Sequence, residues 1–169
     1  MSKLMLKMWI LLFFLSAQLF ATRPDPLISV GAGVSNVLRS HNKSALFQIE
    51  YMGSPFWGKK YLFIRPLLSS FVTSQGSFYL CGGVAFDIPL GKYAYVTPSF
   101  ASGFYVQGGG KDLGYPVENR SAIEFGGTLP NQSRIGVQFY HLSNGSLSRK
   151  NPGVEILLLQ YSIPIKINK

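Results

Sequence analysis

The sequence predicts an all-β fold, an eight-stranded antiparallel transmembrane β-barrel, and three observations support it. From residue 27 onward about eight segments alternate between apolar and polar side chains, with turn residues between them. Successive side chains point to opposite faces of a strand, so each segment would have one apolar face. After residue 21 neither helical periodicity nor a continuous apolar span is present, although 47% of the residues are hydrophobic. Only 14% are charged, against about 25% in typical soluble domains.

The first four segments each group apolar side chains on one face. These side chains are Ile28, Val30, Ala32 and Val34 in the first segment, Ala45, Phe47, Ile49 and Tyr51 in the second, Leu62, Ile64, Pro66 and Leu68 in the third, and Phe78, Leu80, Val84 and Phe86 in the fourth. The opposite faces carry many small or polar residues, such as Ser29, Gln48 and Arg65. We therefore predict four strands whose two faces differ in polarity.

The last four segments follow the same rule. Their apolar faces hold Ala94, Val96, Pro98, Phe100 and Phe104 in the fifth segment, Ile123, Phe125 and Leu129 in the sixth, Ile135, Val137 and Phe139 in the seventh, and Leu157, Leu159, Tyr161 and Ile163 in the eighth. The eighth segment is the hardest to assign, because Ile156 and Leu158 lie on its other face.

A soluble barrel would place these apolar faces inside, whereas a membrane barrel would place them outside. The other faces are rich in Gly, Ser, Thr and Tyr, with Glu50, Arg65 and Glu124 near mid-strand, which suits a narrow lumen filled by hydrogen-bonding side chains. In hydrocarbon a sheet must close so that no edge group is unpaired, and eight strands is the smallest usual membrane barrel. The composition favours the membrane barrel.

Barrels of the bacterial outer membrane have short periplasmic turns and longer external loops. With eight strands both termini would be periplasmic, the connections near residues 89–91 and 130–132 would be short periplasmic turns, and residues 107–119 would form a long external loop. Residues 53–60 form a longer connection than this rule predicts. The expected external loops carry basic residues that would face anionic glycolipid headgroups, namely Arg39, Lys43, Lys111, Arg149 and Lys150.

The first 21 residues resemble a secretory signal peptide, with two lysines, a short apolar run and Ala21 at a cleavage site. The apolar run is short for a membrane anchor, which needs about 20 residues. Residues 22–169 would then form a single barrel domain. Export disfavours nucleic acid as the partner of the basic chain, and the single Cys81 excludes an internal disulfide.

Three residues near the C-terminal end could support hydrolytic chemistry. His141 and Ser143 share one face of the seventh segment, and Glu155 begins the eighth, so the hairpin would bring all three to the external end of the lipid-facing wall. His141 could then take the proton of Ser143 while Glu155 orients the imidazole. Asn144, the Gly145 N–H and Asn151 are candidate oxyanion or supporting groups. A His-x-Ser pair at a strand end can equally be an inert interface feature.

The segment from Gly136 to Ile165 resembles the lipid A 3-O-deacylase family, the PagL-like outer-membrane esterases. The resemblance covers His141, Ser143, Asn144, the turn at residues 151–153 and Glu155, with the spacing of the family. It implies hydrolysis of the 3-O-linked hydroxyacyl chain of lipid A by a Ser-His-Glu triad, without a metal or other cofactor. The expected partner is lipopolysaccharide in the outer leaflet.

Two other functions stay open on sequence grounds. A non-enzymatic small barrel could serve adhesion or membrane integrity, and a solute channel is less favoured because eight strands leave room only for side chains. The sequence also leaves open whether the barrel forms a homodimer.

Overall fold

The computed structural model describes residues 24–40 and 43–166. The expected signal peptide of residues 1–21 lies outside the described residues. Within the described part of the chain, no helix is long and apolar enough to span a membrane.

Among the described residues, the regular secondary structure consists of β-strands. The strands are β1 (Leu27–Ser35), β2 (Ser44–Met52), β3 (Trp57–Lys59), β4 (Leu62–Thr73), β5 (Phe78–Leu90), β6 (Ala94–Val106), β7 (Val117–Thr128), β8 (Arg134–Ser143) and β9 (Val154–Pro164). Every pairing is antiparallel, and β1 pairs with β9 while β2 pairs with β4. These pairings close a barrel of eight strands, as predicted, to which β3 is a short addition.

The β3 strand explains the long connection after β2. Trp57 to Lys59 pair with the first residues of β4, below the stretch of β4 that pairs with β2. Between them, Gly53 N–H donates to the Pro66 carbonyl at 2.9 Å and Phe56 N–H donates to the Ile64 carbonyl at 3.1 Å. These contacts continue the edge of β4 toward the periplasmic end, so the connection is an interrupted strand rather than an open loop.

The β7 strand begins earlier than the sequence pattern predicted. The structure has a loop at residues 107–116 and a strand from Val117, so the expected loop end at residue 119 is wrong. Glu118 and Arg120 are charged but point into the barrel, where they are buried. The outward residues Asn119 and Ser121 are polar as well, so the start of β7 lacks the polarity contrast that marks the other strands.

The apolar faces point outward in each of the eight barrel strands, as predicted. The contrast is sharp in β9, where Leu159 is 57% exposed and its neighbour Leu158 only 2%. Ile156, on the same face as Leu158, is also buried, so this face of β9 points into the barrel. This was the strand whose faces were hardest to assign from the sequence. In a water-soluble barrel such a wall would be unfavourable, whereas hydrocarbon covers it at no cost.

Polar side chains in the lumen form a hydrogen-bonded network, in which the Glu118 carboxylate and the Nε and Nη1 atoms of Arg120 are buried without a hydrogen-bond partner among the described residues. Near the periplasmic end, Arg65 and Arg134 both bond to Asp87 at 2.8 Å. Higher in the barrel, Arg120 bonds to Glu50 at 2.8 Å. The Gln48, Gln138 and Gln160 amides join this network, and Glu124 accepts hydrogen bonds from Tyr95, Gln138 and Gln160. Buried charges need such partners, and their packing argues against a solute channel.

The loop at residues 107–116 closes the external end of the barrel. Leu113 is buried there, and Lys111 Nζ donates to the Asn36 side chain at 3.1 Å and to the Gly153 carbonyl at 2.6 Å. Lys150 forms an exposed ion pair with Asp112 at 2.6 Å. The loop therefore ties the start of β9 to the β1–β2 connection.

Candidate active site

The β8–β9 hairpin brings His141 and Glu155 together. The two residues are directly opposite in the antiparallel register, so their side chains share the outward face. Nδ1 of His141 lies 3.3 Å from Oε1 of Glu155, and the two side chains are 44% and 15% exposed. Because Nδ1 faces the carboxylate, Nε2 is the ring nitrogen left for a reacting group.

Ser143 lies two residues after His141, on the same face, where β8 ends. It is partly exposed, as His141 is. The structure therefore places all three predicted residues on the outer wall at the external end of the barrel. No group of His, Cys, Asp and Glu in the described residues could hold a metal ion.

Gly153 lies against the ring of His141. Its φ of 58° is in the left-handed region, and a Cβ built there would lie 2.4 Å from Cε1 and 2.9 Å from Nε2 of His141. A side chain at this position would displace the imidazole. Gly153 therefore allows the ring to sit between the Glu155 carboxylate and the backbone that precedes β9.

For the hydrolysis expected from the sequence, in which His141 would transfer a proton, we expect Gly153→Ala to lower kcat about 100-fold, because a shift of about 1 Å in a reacting group can cost that much. The measurement is the rate of ester hydrolysis by the purified barrel. Gly91→Ala is the matched control, since Gly91 also has a positive φ, of 76°, but a Cβ there meets nothing within 4 Å. Equal rates for the two variants would show that the contact with His141 does not matter.

Asn144 and Asn151 hold the loop that joins β8 and β9. The buried Asn144 side chain donates to the carbonyls of Leu113 at 3.1 Å and Lys150 at 2.8 Å, and it accepts from the Ser146 N–H at 3.0 Å. Its own backbone N–H donates to Oδ1 of Asn151 at 3.1 Å. Both amide hydrogens of Asn144 are occupied, so this side chain supports the loop rather than facing a substrate.

Gly145 lies next to Asn144 and is exposed, with a φ of 60°. Among the described residues, its backbone N–H has no hydrogen-bond acceptor. A backbone N–H two residues from Ser143 is in the right region to stabilise a developing oxyanion.

A positive flank lies beside the carboxylate. Burial lowers the pKa of Lys111 below its usual range, the charge of Arg39 acts in the same direction, and Glu155 opposes both. Arg39, Lys43 and Arg149 are exposed at the same end of the barrel. The site therefore combines an apolar wall below it with cationic groups around and above it.

The sequence pattern missed polar residues on β6 and β7. Asn119 is directly opposite Ser143, and Ser121 is directly opposite His141. Both lie on the outward face of β7, as does Ser102 on the neighbouring β6. Alternation carried back from Ile123 and Phe125 would have placed them there, but the predicted loop ended at residue 119.

The chain is similar to a known protein family and to solved outer-membrane structures. A family model described as lipid A 3-O-deacylase (PagL) matches residues 50–164. The crystal structure of the outer membrane enzyme PagL is similar, with 18% identity, a TM-score of 0.68, and coverage of 82% of this chain and 99% of that one. The outer membrane protein Ail from Yersinia pestis is 10% identical, with a TM-score of 0.47 over 83% and 99% of the two chains. No curated protein matches the chain.

Proposed function

Because this chain belongs to the lipid A 3-O-deacylase (PagL) family, we propose that Ser143, His141 and Glu155 form the triad with which it removes the 3-O-linked hydroxyacyl chain of lipid A. Membership of this family identifies the chain as an outer-membrane esterase, and the similarity to the PagL crystal structure supports the barrel fold. The observation that carries the triad is the contact of His141 Nδ1 with Glu155 Oε1 on the same outward face as Ser143.

In the proposed reaction, Ser143 Oγ attacks the ester carbonyl carbon and its proton passes to Nε2 of His141. Glu155 holds Nδ1–H and stabilises the imidazolium. When the tetrahedral intermediate collapses, the bond from the carbonyl carbon to the sugar O3 breaks, and His141 returns the proton to O3. Water then hydrolyses the acyl-enzyme by the same proton transfers and releases the hydroxy fatty acid.

The oxyanion would be stabilised by the Gly145 N–H, which makes no hydrogen bond to the described residues. Asn144 and Asn151 support this donor indirectly, because they fix the loop from which it projects. Pre-organised donors of this kind contribute because they need no rearrangement as the charge develops.

The position of the site suits lipid A as the substrate. Lipid A lies in the outer leaflet, with its sugar and phosphates at the polar boundary and its acyl chains against the barrel. The apolar residues Phe139, Leu157 and Leu159 lie below the triad on the same face, whereas Lys111 and Arg39 flank it. One chain supplies all three reactive groups, so a homodimer is not required, and the proposed reaction needs no cofactor.

Mass spectrometry of lipid A tests the proposal. The purified barrel is incubated with lipopolysaccharide in detergent, and the lipid A and released fatty acids are analysed. We expect lipid A lighter by one hydroxyacyl chain and an equal amount of free hydroxy fatty acid. An adhesion or integrity barrel would leave lipid A unchanged, and that result would count against the proposal.

We expect Glu155→Gln to lower kcat about 10³–10⁴-fold, because an orienting carboxylate fixes the tautomer of the histidine and stabilises its charged form. Steady-state ester hydrolysis measures the effect. Asp112→Asn is the control, since it removes a carboxylate at the same end of the barrel that is exposed and pairs with Lys150. The role of Glu155 is contradicted if both variants hydrolyse the ester at the rate of the unchanged chain.

A further inference from the structure

Asn119 is the β7 residue that pairs with the proposed nucleophile. It lies directly opposite Ser143 in the β7–β8 register, and both side chains are on the outward face. Directly opposite residues of antiparallel strands have Cβ atoms about 4.5–5.5 Å apart, which is within reach of an amide. Its outward neighbours along β7 are Val117 and Ser121, beyond which Ile123 and Phe125 begin the apolar wall.

Ser102 fixes the orientation of the Asn119 amide. The Ser102 hydroxyl donates to Oδ1 of Asn119 at 2.5 Å, from the β6 side. With the oxygen held toward β6, the amide nitrogen is turned the other way. Nδ2 lies 3.0 Å from the position that a Cβ on Gly145 would occupy. The amide hydrogens therefore lie beside the loop that follows Ser143.

We propose that Nδ2 of Asn119 is a second oxyanion donor, acting together with the Gly145 N–H, and that Ser102 is the residue that positions it. This inference rests on the proposed function, because it assigns Asn119 to the same ester hydrolysis. Two neighbouring donors, one from β7 and one from the loop after Ser143, would hold the carbonyl oxygen as it becomes negative. The Asn144 amide cannot serve, since it bonds to the Leu113 and Lys150 carbonyls.

The location of the pair also needs an explanation. Ser102 lies between Phe100 and Phe104 on the outward face of β6, a wall that otherwise carries large apolar side chains. Polar groups on such a wall cost free energy that falls toward the interface. A role in the reaction would explain why a hydrogen-bonded Ser102–Asn119 pair lies next to Ser143 on this wall, near the boundary between hydrocarbon and water.

The test uses the purified full-length barrel with two substrates, lipopolysaccharide and a short-chain p-nitrophenyl ester that lacks the sugar. We expect Asn119→Ala and Asn119→Asp to lower kcat about 10²–10³-fold on both substrates, with little change in KM, as for the loss of one oxyanion donor. Ser102→Ala should cause a smaller loss in kcat in the same direction. The aspartate variant keeps the side-chain shape, so it separates loss of the donor from loss of packing.

Gln75→Ala and Ser70→Ala are the controls, since they remove an amide and a hydroxyl from the β4–β5 hairpin, away from β8. The altered mobility of heated and unheated barrels in gels reports folding. Unchanged kcat on both substrates, or a loss confined to lipopolysaccharide, overturns the inference, because an oxyanion donor acts on any ester. Ser143→Ala run in parallel separates the two proposals: if it is inactive while the Asn119 variants are normal, only the role of Asn119 fails.

Discussion

Replacing Ser143 by alanine is expected to abolish release of hydroxy fatty acid from lipopolysaccharide, with kcat lower by about 10⁴-fold or more. The variant lacks the oxygen that attacks the ester, and what remains is the weak catalysis of an oxyanion site alone. Ser143 ends β8 and is partly exposed, so its loss should leave the barrel folded. Lipid A mass spectrometry and a p-nitrophenyl ester assay measure the effect.

The control for this prediction is Ser121→Ala. Ser121 is the other outward-facing serine next to His141, directly opposite it on β7. We expect this variant to retain activity, because Ser121 is not part of the His141-x-Ser143 pattern that resembles the family. An inactive Ser121→Ala barrel together with an active Ser143→Ala barrel would transfer the nucleophile to β7 and contradict the proposed triad.

Asp87→Ala is expected to destabilise the barrel by about 3–5 kcal/mol, the cost of removing one partner of a buried ion pair. Asp87 is buried and bonds to Arg65 at 2.8 Å and to Arg134 at 2.8 and 3.2 Å. Its loss leaves two guanidinium groups near the periplasmic end of the lumen without their carboxylate. Urea unfolding of the barrel in lipid vesicles, followed by tryptophan fluorescence, measures the change.

Asp112→Asn serves again as the control, because it removes an exposed ion pair that contributes at most about 1 kcal/mol. If Asp87→Ala and Asp112→Asn unfold at the same urea concentration as the unchanged chain, the Arg65–Asp87–Arg134 cluster does not stabilise the fold. A further loss of hydrolysis by Asp87→Ala beyond its unfolded fraction would also contradict a purely structural role.

The sequence was sufficient for the parts of the fold that follow from alternation. Where one face is apolar and the other small or polar, as for Ile28 against Ser29, the strand and its outward face were both predicted correctly. The same rule placed His141 and Ser143 on the outer wall, because they share the parity of Val137 and Phe139. The sequence also predicted that Glu155 lies level with His141 along the barrel axis. The length of the loop between β8 and β9 determines which residue of β9 is opposite His141.

The rest depends on contacts between segments distant in sequence. The start of β7 could not be recognised from alternation, because its outward residues Asn119 and Ser121 are polar like the buried Glu118 and Arg120 on its inner face. The position of Asn119 beside Ser143 was not predicted either, because it is set by the pairing of β7 with β8. The place of Gly153 against the His141 ring likewise depends on a positive φ that no pattern of polarity reveals.

Covalent labelling tests most directly whether the three groups act together on the outer wall. The folded barrel is treated with an alkyl fluorophosphonate, which reacts with activated serines, and the modified peptide is identified by mass spectrometry. We predict a single adduct on Ser143, formed much more slowly in His141→Ala and Glu155→Gln. An adduct on another serine, or labelling of Ser143 at the same rate without His141, would contradict the proposed triad.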